Sequence, residues 1–138
     1  MHDLATLHDS HIVITDADLE RLLRLLEQHG DAIADSLDAE LHRAVVVDRR
    51  DVPPDVVTMN SEVVYEDVAT GARRAVRVVY PQDADVAAGR VSILAPIGAA
   101  LLGLRVGQEI DWEVPSGRKR IRVAELRYQP EAAGHPTL

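Results

Sequence analysis

The sequence predicts an α+β fold, in which an N-terminal antiparallel helical hairpin (a short coiled coil) precedes an antiparallel β-sheet domain with one short helix. Leucines recur at helical spacing in the early part of the chain, and β-branched residues gather in short runs after residue 56. The 46% of hydrophobic residues suffices for a core, which must consist of Val, Ile, Leu and Ala because Phe is absent. The chain divides into a hairpin at 1–50, a sheet domain at 56–128 and a tail at 129–138.

Two helices are expected in the hairpin. Thr15 can cap the first helix, and Asp18 stands where a capping box has its acidic residue. Gly30 ends this helix, and Asp31 can cap the second one. A tight turn at Gly30 requires antiparallel helices, each of about 13 residues or roughly 20 Å. Apolar residues with a period near 3.6 mark the seam: Leu19, Leu22, Leu23, Leu26, Ile33, Leu37, Leu41 and Ala44.

A proline-rich linker at 52–55 separates the helices from five predicted strands. Pro96 is placed to open a short helix over 97–102, which Gly103 closes. Two prolines and a glycine after Gln129 indicate a frayed tail. The strands are predicted over residues 57–65, 75–80, 91–94, 109–114 and 118–128.

Composition excludes several classes of function. A net charge of −8 disfavours duplex DNA as a ligand, so sequence-specific DNA binding is not expected. The absence of cysteine excludes disulfides, thiolate zinc sites and thiol nucleophiles. The N-terminus lacks a signal-peptide pattern, and no apolar run approaches the ~20 residues of a spanning helix. We therefore expect a cytoplasmic protein without membrane association.

Charge is unevenly distributed along the chain. The segment 27–40 contains Glu27, Asp31, Asp35, Asp38 and Glu40 but no Lys or Arg. Such a segment is either an acidic tip steered towards a basic partner or a solvated helix face. The six histidines show no HExxH spacing, and neither a GxxxxGKS nor a GxGxxG loop is present. No metal site and no cofactor are therefore expected.

Basic residues concentrate on the last predicted strand, where Arg118, Arg120 and Arg122 share one face. This face either binds an acidic partner surface or nucleic acid, or it protects a sheet edge from aggregation. Edge protection is the favoured interpretation.

The segment from Gly89 to Gly107, GRVSILAPIGAALLGLRVG, resembles the signature of the Gre-factor C-terminal domain. Residues 115–117 (PSG) and 123–126 (VAEL) share this resemblance over about 56–128. The segment 57–61 (VTMNS) and the short hairpin at 15–48 resemble the Rnk branch of the Gre-type transcription factors, whose family name refers to regulation of nucleoside diphosphate kinase. The resemblance implies an FKBP-like C-terminal domain that docks at the rim of the RNA polymerase secondary channel, with the hairpin pointing inward.

The resemblance also implies the docking residues Leu94, Ala95, Pro96 and Ile97, with Ala95 where cleavage factors usually have Ser. Cleavage factors carry a hairpin roughly twice as long, whose acidic tip helps to hold a catalytic Mg²⁺. Carboxylates at the tip of a ~20 Å hairpin should stop short of that metal, because a metal–carboxylate bond spans only about 2.0–2.6 Å. The implied function is therefore docking without transcript cleavage, in competition with longer channel-binding factors. The tip residues are Glu27, Asp31 and Asp35.

Two alternatives remain open. One is regulation of nucleoside diphosphate kinase by direct binding. The other is a peptidyl-prolyl isomerase-like enzyme, because the FKBP-like fold also hosts such enzymes. An isomerase pocket needs aromatic lining, whereas this chain offers Trp112, three Tyr and no Phe. We therefore expect a protein that is not an enzyme.

Overall fold

The computed structural model describes residues 12–30, 32–114 and 117–134, which form an α+β fold. Short 3₁₀ turns at Pro81–Asp83 and Val86–Ala88 interrupt the loop between the fourth and fifth strands. In chain order the elements are β1 (Val13–Thr15), α1 (Asp16–Leu26), α2 (Ala32–Arg43), β2 (Val45–Val47), β3 (Glu62–Asp67), β4 (Arg73–Val79), β5 (Arg90–Ser92), α3 (Pro96–Leu101), β6 (Glu109–Val114), β7 (Gly117–Tyr128) and α4 (Pro130–Ala133).

The first helix begins as its capping signal predicts. The Thr15 hydroxyl accepts a hydrogen bond from the Asp18 N–H at 3.1 Å, and α1 then runs for 11 residues. Helix α2 has 12 residues and packs against α1, with Leu22, Leu26 and Leu37 buried. Asp31, the expected cap of α2, lies outside the described residues. None of the described helices is long and apolar enough to cross a membrane.

Five strands form one sheet in the order β5-β4-β3-β7-β6. The prediction of an antiparallel sheet is wrong for one pair, because β4 and β5 are parallel and the sheet is therefore mixed. The cause is the connection at 80–89, which carries the chain back along the sheet before β5 begins. There Asp85 forms an antiparallel bridge with Arg90.

The predicted strand at 57–65 is also wrong in its first half, because β3 begins only at Glu62. Residues 57–61 form a loop in which Thr58 N–H donates to the Ser61 hydroxyl at 2.9 Å. The loop bends at Asn60, whose φ of 68° lies in the left-handed region. Asn60 N–H still donates to Val78 O at 2.6 Å, so the loop remains fixed to β4.

The expectation of a frayed tail is wrong for residues 129–134. Gln129 is buried and caps α4, accepting a hydrogen bond from Ala132 N–H at 3.2 Å. Its amide nitrogen donates to Pro53 O and Val56 O, both at 2.8 Å. This short helix therefore fastens the end of β7 to the linker. Residues 135–138 of the predicted tail lie outside the described residues.

A second, two-stranded parallel sheet of β1 and β2 joins the helices to the larger sheet. Val13 N–H donates to Gly103 O at 3.2 Å. A Cβ added at Gly103 would lie 2.4 Å from Ile12 Cβ, so this approach requires glycine. The helical and sheet segments share one hydrophobic core, formed among others by Ile14, Leu22, Leu37, Leu41, Met59, Val63, Val78, Ile93, Leu101 and Ile121.

Candidate docking site

The strand-to-helix junction at 93–96 is held by backbone hydrogen bonds. Ile93 N–H donates to Val79 O at 2.8 Å, which ties the turn to β4. Ser92 then binds the next two amides, its hydroxyl accepting from Leu94 N–H at 3.0 Å and its carbonyl from Ala95 N–H at 2.9 Å. Because these bonds fix the backbone, the side chains of the junction project in defined directions.

Pro96 stands exposed at the first position of α3. Ala95 is the N-cap residue in an extended conformation, and its side chain makes no capping hydrogen bond. Leu94 and Ile97 are half-buried and pack against the core. The junction is therefore a small apolar ledge from which the rigid ring of Pro96 projects.

Gly98 sets the position of this ledge. A Cβ added there would lie 2.2 Å from Ser92 O, so α3 is pressed directly against the end of β5. This role of Gly98 was not expected from the sequence. A glycine inside a helix of only six residues was the available signal, because glycine there costs about 1 kcal/mol relative to alanine unless packing requires it.

The acidic tip residues fall where the two helices meet. Glu27 is the exposed C-cap of α1, and Asp35 is exposed in the first turn of α2, while Asp31 lies outside the described residues. Asp38 lies 3.6 Å from a ring nitrogen of His42, and Glu40 pairs with Arg43 of the same helix. Within the described residues Glu27 and Asp35 make no ion pair, so both contribute negative charge at this end.

The arginines of the sheet pair with carboxylates on neighbouring strands. The Glu66 carboxylate of β3 forms salt bridges with Arg73 at 3.2 Å and with Arg122 at 3.1 Å. Arg120 binds Glu109 at 2.8 Å, and this bond lowers the pKa of the Glu109 carboxyl. The favoured interpretation of edge protection is wrong, because β7 lies between β3 and β6 and is not an edge strand. The cross-strand pairs instead make these arginines part of an ion-pair network on the sheet.

A buried polar cluster joins α1, the 57–61 loop and α4. The Asp18 carboxylate, only 7% exposed, accepts a hydrogen bond from Met59 N–H at 3.1 Å. The Thr58 hydroxyl donates to Glu131 of α4 at 2.7 Å. Arg21 covers the ring of the buried Tyr80, with its guanidinium 4.2 Å from the ring centroid. Three segments distant in sequence therefore meet around two carboxylates.

Burial raises the pKa of Asp18 to about 6, and the charge of Glu131 adds to the rise while the Met59 N–H opposes it. Burial likewise raises the pKa of the Tyr80 hydroxyl. Sequence reasoning had assigned Asp18 to a local capping box and missed this cluster, since its partner lies 41 residues away. Over the described chain, no group of three or more His, Asp and Glu side chains is arranged to hold a metal ion.

Comparison with known proteins defines the class of this chain. Residues 52–128 match the model of the C-terminal domain of the transcription elongation factors GreA and GreB, and residues 11–47 match the Rnk N-terminus. The fold agrees: a GreA/GreB transcription elongation factor from Nitrosomonas europaea superposes with a TM-score of 0.73 at 45% identity, over 86% of this chain and 98% of that one.

Two curated relatives refine the class. The regulator of nucleoside diphosphate kinase from Escherichia coli K12 is 49% identical over 127 residues, which is 89% of this chain and 93% of the relative. The transcription inhibitor protein Gfh1 from Thermus aquaticus is 39% identical over 98 residues, or 70% of this chain and 61% of that protein. The chain belongs to the Rnk branch of the Gre family of transcription factors.

Proposed function

We propose that the protein binds RNA polymerase at the rim of the secondary channel, competes there with Gre-type factors and does not stimulate transcript cleavage. In this proposal residues 56–128 act as an FKBP-like docking domain, and α1 and α2 act as a short hairpin that points inward. The observation that carries it is the combination of a Gre-type C-terminal domain with helices of only 11 and 12 residues.

Helix length supports the absence of cleavage. At 1.5 Å per residue, α1 and α2 span only about 17–18 Å. An arm of that length occupies a channel entrance without delivering Glu27 or Asp35 to a distant catalytic metal. A protein that occupies the channel without bringing carboxylates to the metal competes with longer factors, because two proteins cannot enter the same channel at the same time.

The junction supports the docking part of the proposal. Pro96 is exposed, and its ring has little conformational entropy left to lose on binding. Ala95 lacks the hydroxyl that cleavage factors usually carry at this position. This loss removes at most one hydrogen bond, worth about 0.5–1.5 kcal/mol, so docking should persist.

The test is equilibrium binding of core RNA polymerase by the variant Pro96→Glu. A carboxylate is tolerated at the first turn of a helix but opposes burial against a partner, so we expect binding at least tenfold weaker than wild type. The matched control is Pro54→Glu, at an exposed linker proline, which should bind like wild type. A folded Pro96→Glu protein with wild-type affinity would refute the placement of the docking surface.

A second candidate function follows from the name of the relative that is 49% identical, a regulator of nucleoside diphosphate kinase. The protein could regulate the kinase by direct contact. Quantitative co-purification separates the two functions, since direct regulation requires the kinase to be retained after RNA polymerase has been depleted. The isomerase alternative gains no support from the comparisons, which name regulators and transcription factors.

A further inference from the structure

The loop at 80–89 presents an apolar side chain to solvent. Val86 is 85% exposed, the highest value among the exposed large hydrophobic residues of the described chain. The alanines around it, at positions 84, 87 and 88, are exposed as well. A valine exposed to this degree contributes little to folding, because only a small part of its surface is buried against its own protein.

The loop is nevertheless held by several hydrogen bonds. Asp85 and Arg90 exchange two backbone hydrogen bonds of 2.9 Å each, and Arg90 Nε donates to Asp83 O at 3.0 Å. The 3₁₀ turn that contains Val86 closes with a bond of 3.0 Å from Gly89 N–H to Val86 O. Arg77 N–H of β4 donates to Gly89 O at 2.8 Å, which anchors the loop to the sheet. Val86 is therefore held in place before any partner arrives, and little entropy remains to be lost on binding.

Val86 and Pro96 lie at the two ends of the same edge strand. The loop joins the start of β5 at Arg90, and the junction follows the end of β5 at Ser92. The three residues of β5 span about 10 Å. A protein interface of ordinary size buries about 800 Å² on each partner, a surface about 30 Å across, so one partner can cover both positions.

The surroundings of Val86 also have the character of an interface. A groove of about 620 Å³ borders the loop, and charged residues such as Arg77, Asp83 and Arg90 alternate in its lining with small apolar ones. An apolar anchor with a polar rim is the usual anatomy of a protein–protein interface, and arginine is enriched there.

We propose that Val86 is a second anchor of the docking surface and is buried against the same partner that covers Pro96, namely RNA polymerase. This inference rests on the proposed function and extends it from the junction at 94–97 to the loop at 80–89. The docking surface then runs along the β5 edge of the sheet, with an apolar contact at each end.

The experiment measures the affinity of the full chain for core RNA polymerase in the variants Val86→Asp and Val86→Ser. Val86→Ser removes apolar surface without adding charge, and we expect about fivefold weaker binding. Val86→Asp buries a carboxylate as well, and we expect at least twentyfold weaker binding. The control is Val106→Asp at another exposed valine, on the turn after α3, which should bind within twofold of wild type.

The outcomes separate this proposal from the one on which it rests. Weaker polymerase binding by the Val86 variants, together with wild-type binding by Val106→Asp, supports a second anchor. Wild-type affinity in both Val86 variants, with Pro96→Glu still weakened, overturns the second anchor and leaves docking at the junction intact. Wild-type affinity in the Pro96 and Val86 variants alike, or no binding by the wild type, overturns both proposals. Equal loss in Val106→Asp also overturns the second anchor, because the effect would then not be specific to Val86.

Discussion

At the scale of single residues, Asp18 links the helices to the sheet at a cost to stability. Its carboxylate is buried beside Glu131 and Tyr80, and it accepts the Met59 N–H. Because burial raises its pKa to about 6 from an ordinary value near 3.8, the folded protein binds a proton there more tightly than the unfolded chain. The stability that comes from this proton is fully present below about pH 3.8 and is lost as the pH rises through 6.

Asp18→Asn should therefore stabilise the protein at neutral pH. The amide oxygen can still accept the Met59 N–H, while the buried charge is removed. We expect a free energy of unfolding higher than that of wild type by roughly 1–3 kcal/mol at pH 7.5, with little difference at pH 4. Urea unfolding of both proteins at the two pH values measures this. The same difference at both pH values would show that the charge of Asp18 is not the cause.

Residue-level prediction from sequence succeeds where the interaction is local. Thr15 and Asp18 are three positions apart, and the helix cap that this spacing predicts is present. Two other contacts join residues on different elements. Asp18 accepts a hydrogen bond from Met59 N–H, and Gly98 of α3 packs closely against Ser92 O. A pattern within one element carries no information about which distant backbone it will meet, so neither contact could be derived from the spacing.

At the scale of elements, the end of the helical pair tests electrostatic steering. Glu27→Lys together with Asp35→Lys reverses the charge at this end. The two changes act oppositely on the helix dipoles, since a cation is favourable at the end of α1 and unfavourable at the start of α2, so the fold should survive. We expect slower association with RNA polymerase at low salt, and a wild-type rate that falls as salt rises.

The control for this double variant is Asp51→Lys with Glu125→Lys, which makes the same change of net charge at exposed positions elsewhere. Stopped-flow association rates at low and high salt provide the measurement. If both double variants slow association equally, only net charge matters. If neither does, the acidic end is a solvated helix face with no part in steering.

The C-terminal helix α4 is expected to be essential for stability. Gln129→Ala removes two hydrogen bonds, one to the partly buried carbonyl of Pro53 and one to the buried carbonyl of Val56, and also the cap of α4. Each hydrogen bond contributes about 0.5–1.5 kcal/mol and the cap about 1 kcal/mol, so we expect the free energy of unfolding to fall by roughly 2–4 kcal/mol. Chemical denaturation tests this. A loss below 0.5 kcal/mol would mean that water replaces the amide, and that α4 is dispensable to the fold.

At the scale of the whole molecule, hydrophobic periodicity predicted the two main helices, the short helix and the strands of the larger sheet in the right order, but not β1, β2 or α4. Periods near 3.6 and runs of β-branched residues placed α1, α2, α3, β6 and β7 close to their observed positions. The parallel pairing of β5 and the burial of Gln129 were not predicted, because each depends on where a loop or tail returns in space. Residues 129–134 have the proline and glycine content of a frayed end, yet burial of one amide side chain orders them.

For the proposed docking site, the resemblance indicated the residues, and the structure shows the contacts that hold them. The signature around Pro96 indicated the junction, but not that Ser92 and Gly98 fix its backbone. Val86 belongs to a loop rich in alanine and aspartate, a composition that predicts only a solvent-exposed loop. The backbone pairing of Asp85 with Arg90 closes this loop, and that pairing could not be predicted from the sequence.

The most direct test of the proposed function is transcript cleavage in a purified, backtracked RNA polymerase complex. Added alone, the protein should leave the transcript length unchanged, because the proposal holds that helices of 11 and 12 residues do not bring carboxylates to the catalytic metal. Added with GreA, it should suppress GreA-stimulated cleavage in proportion to its concentration, and Pro96→Glu should abolish that suppression. Shortening of the transcript by the protein alone, or full GreA activity at saturating amounts of the protein, would contradict the proposal.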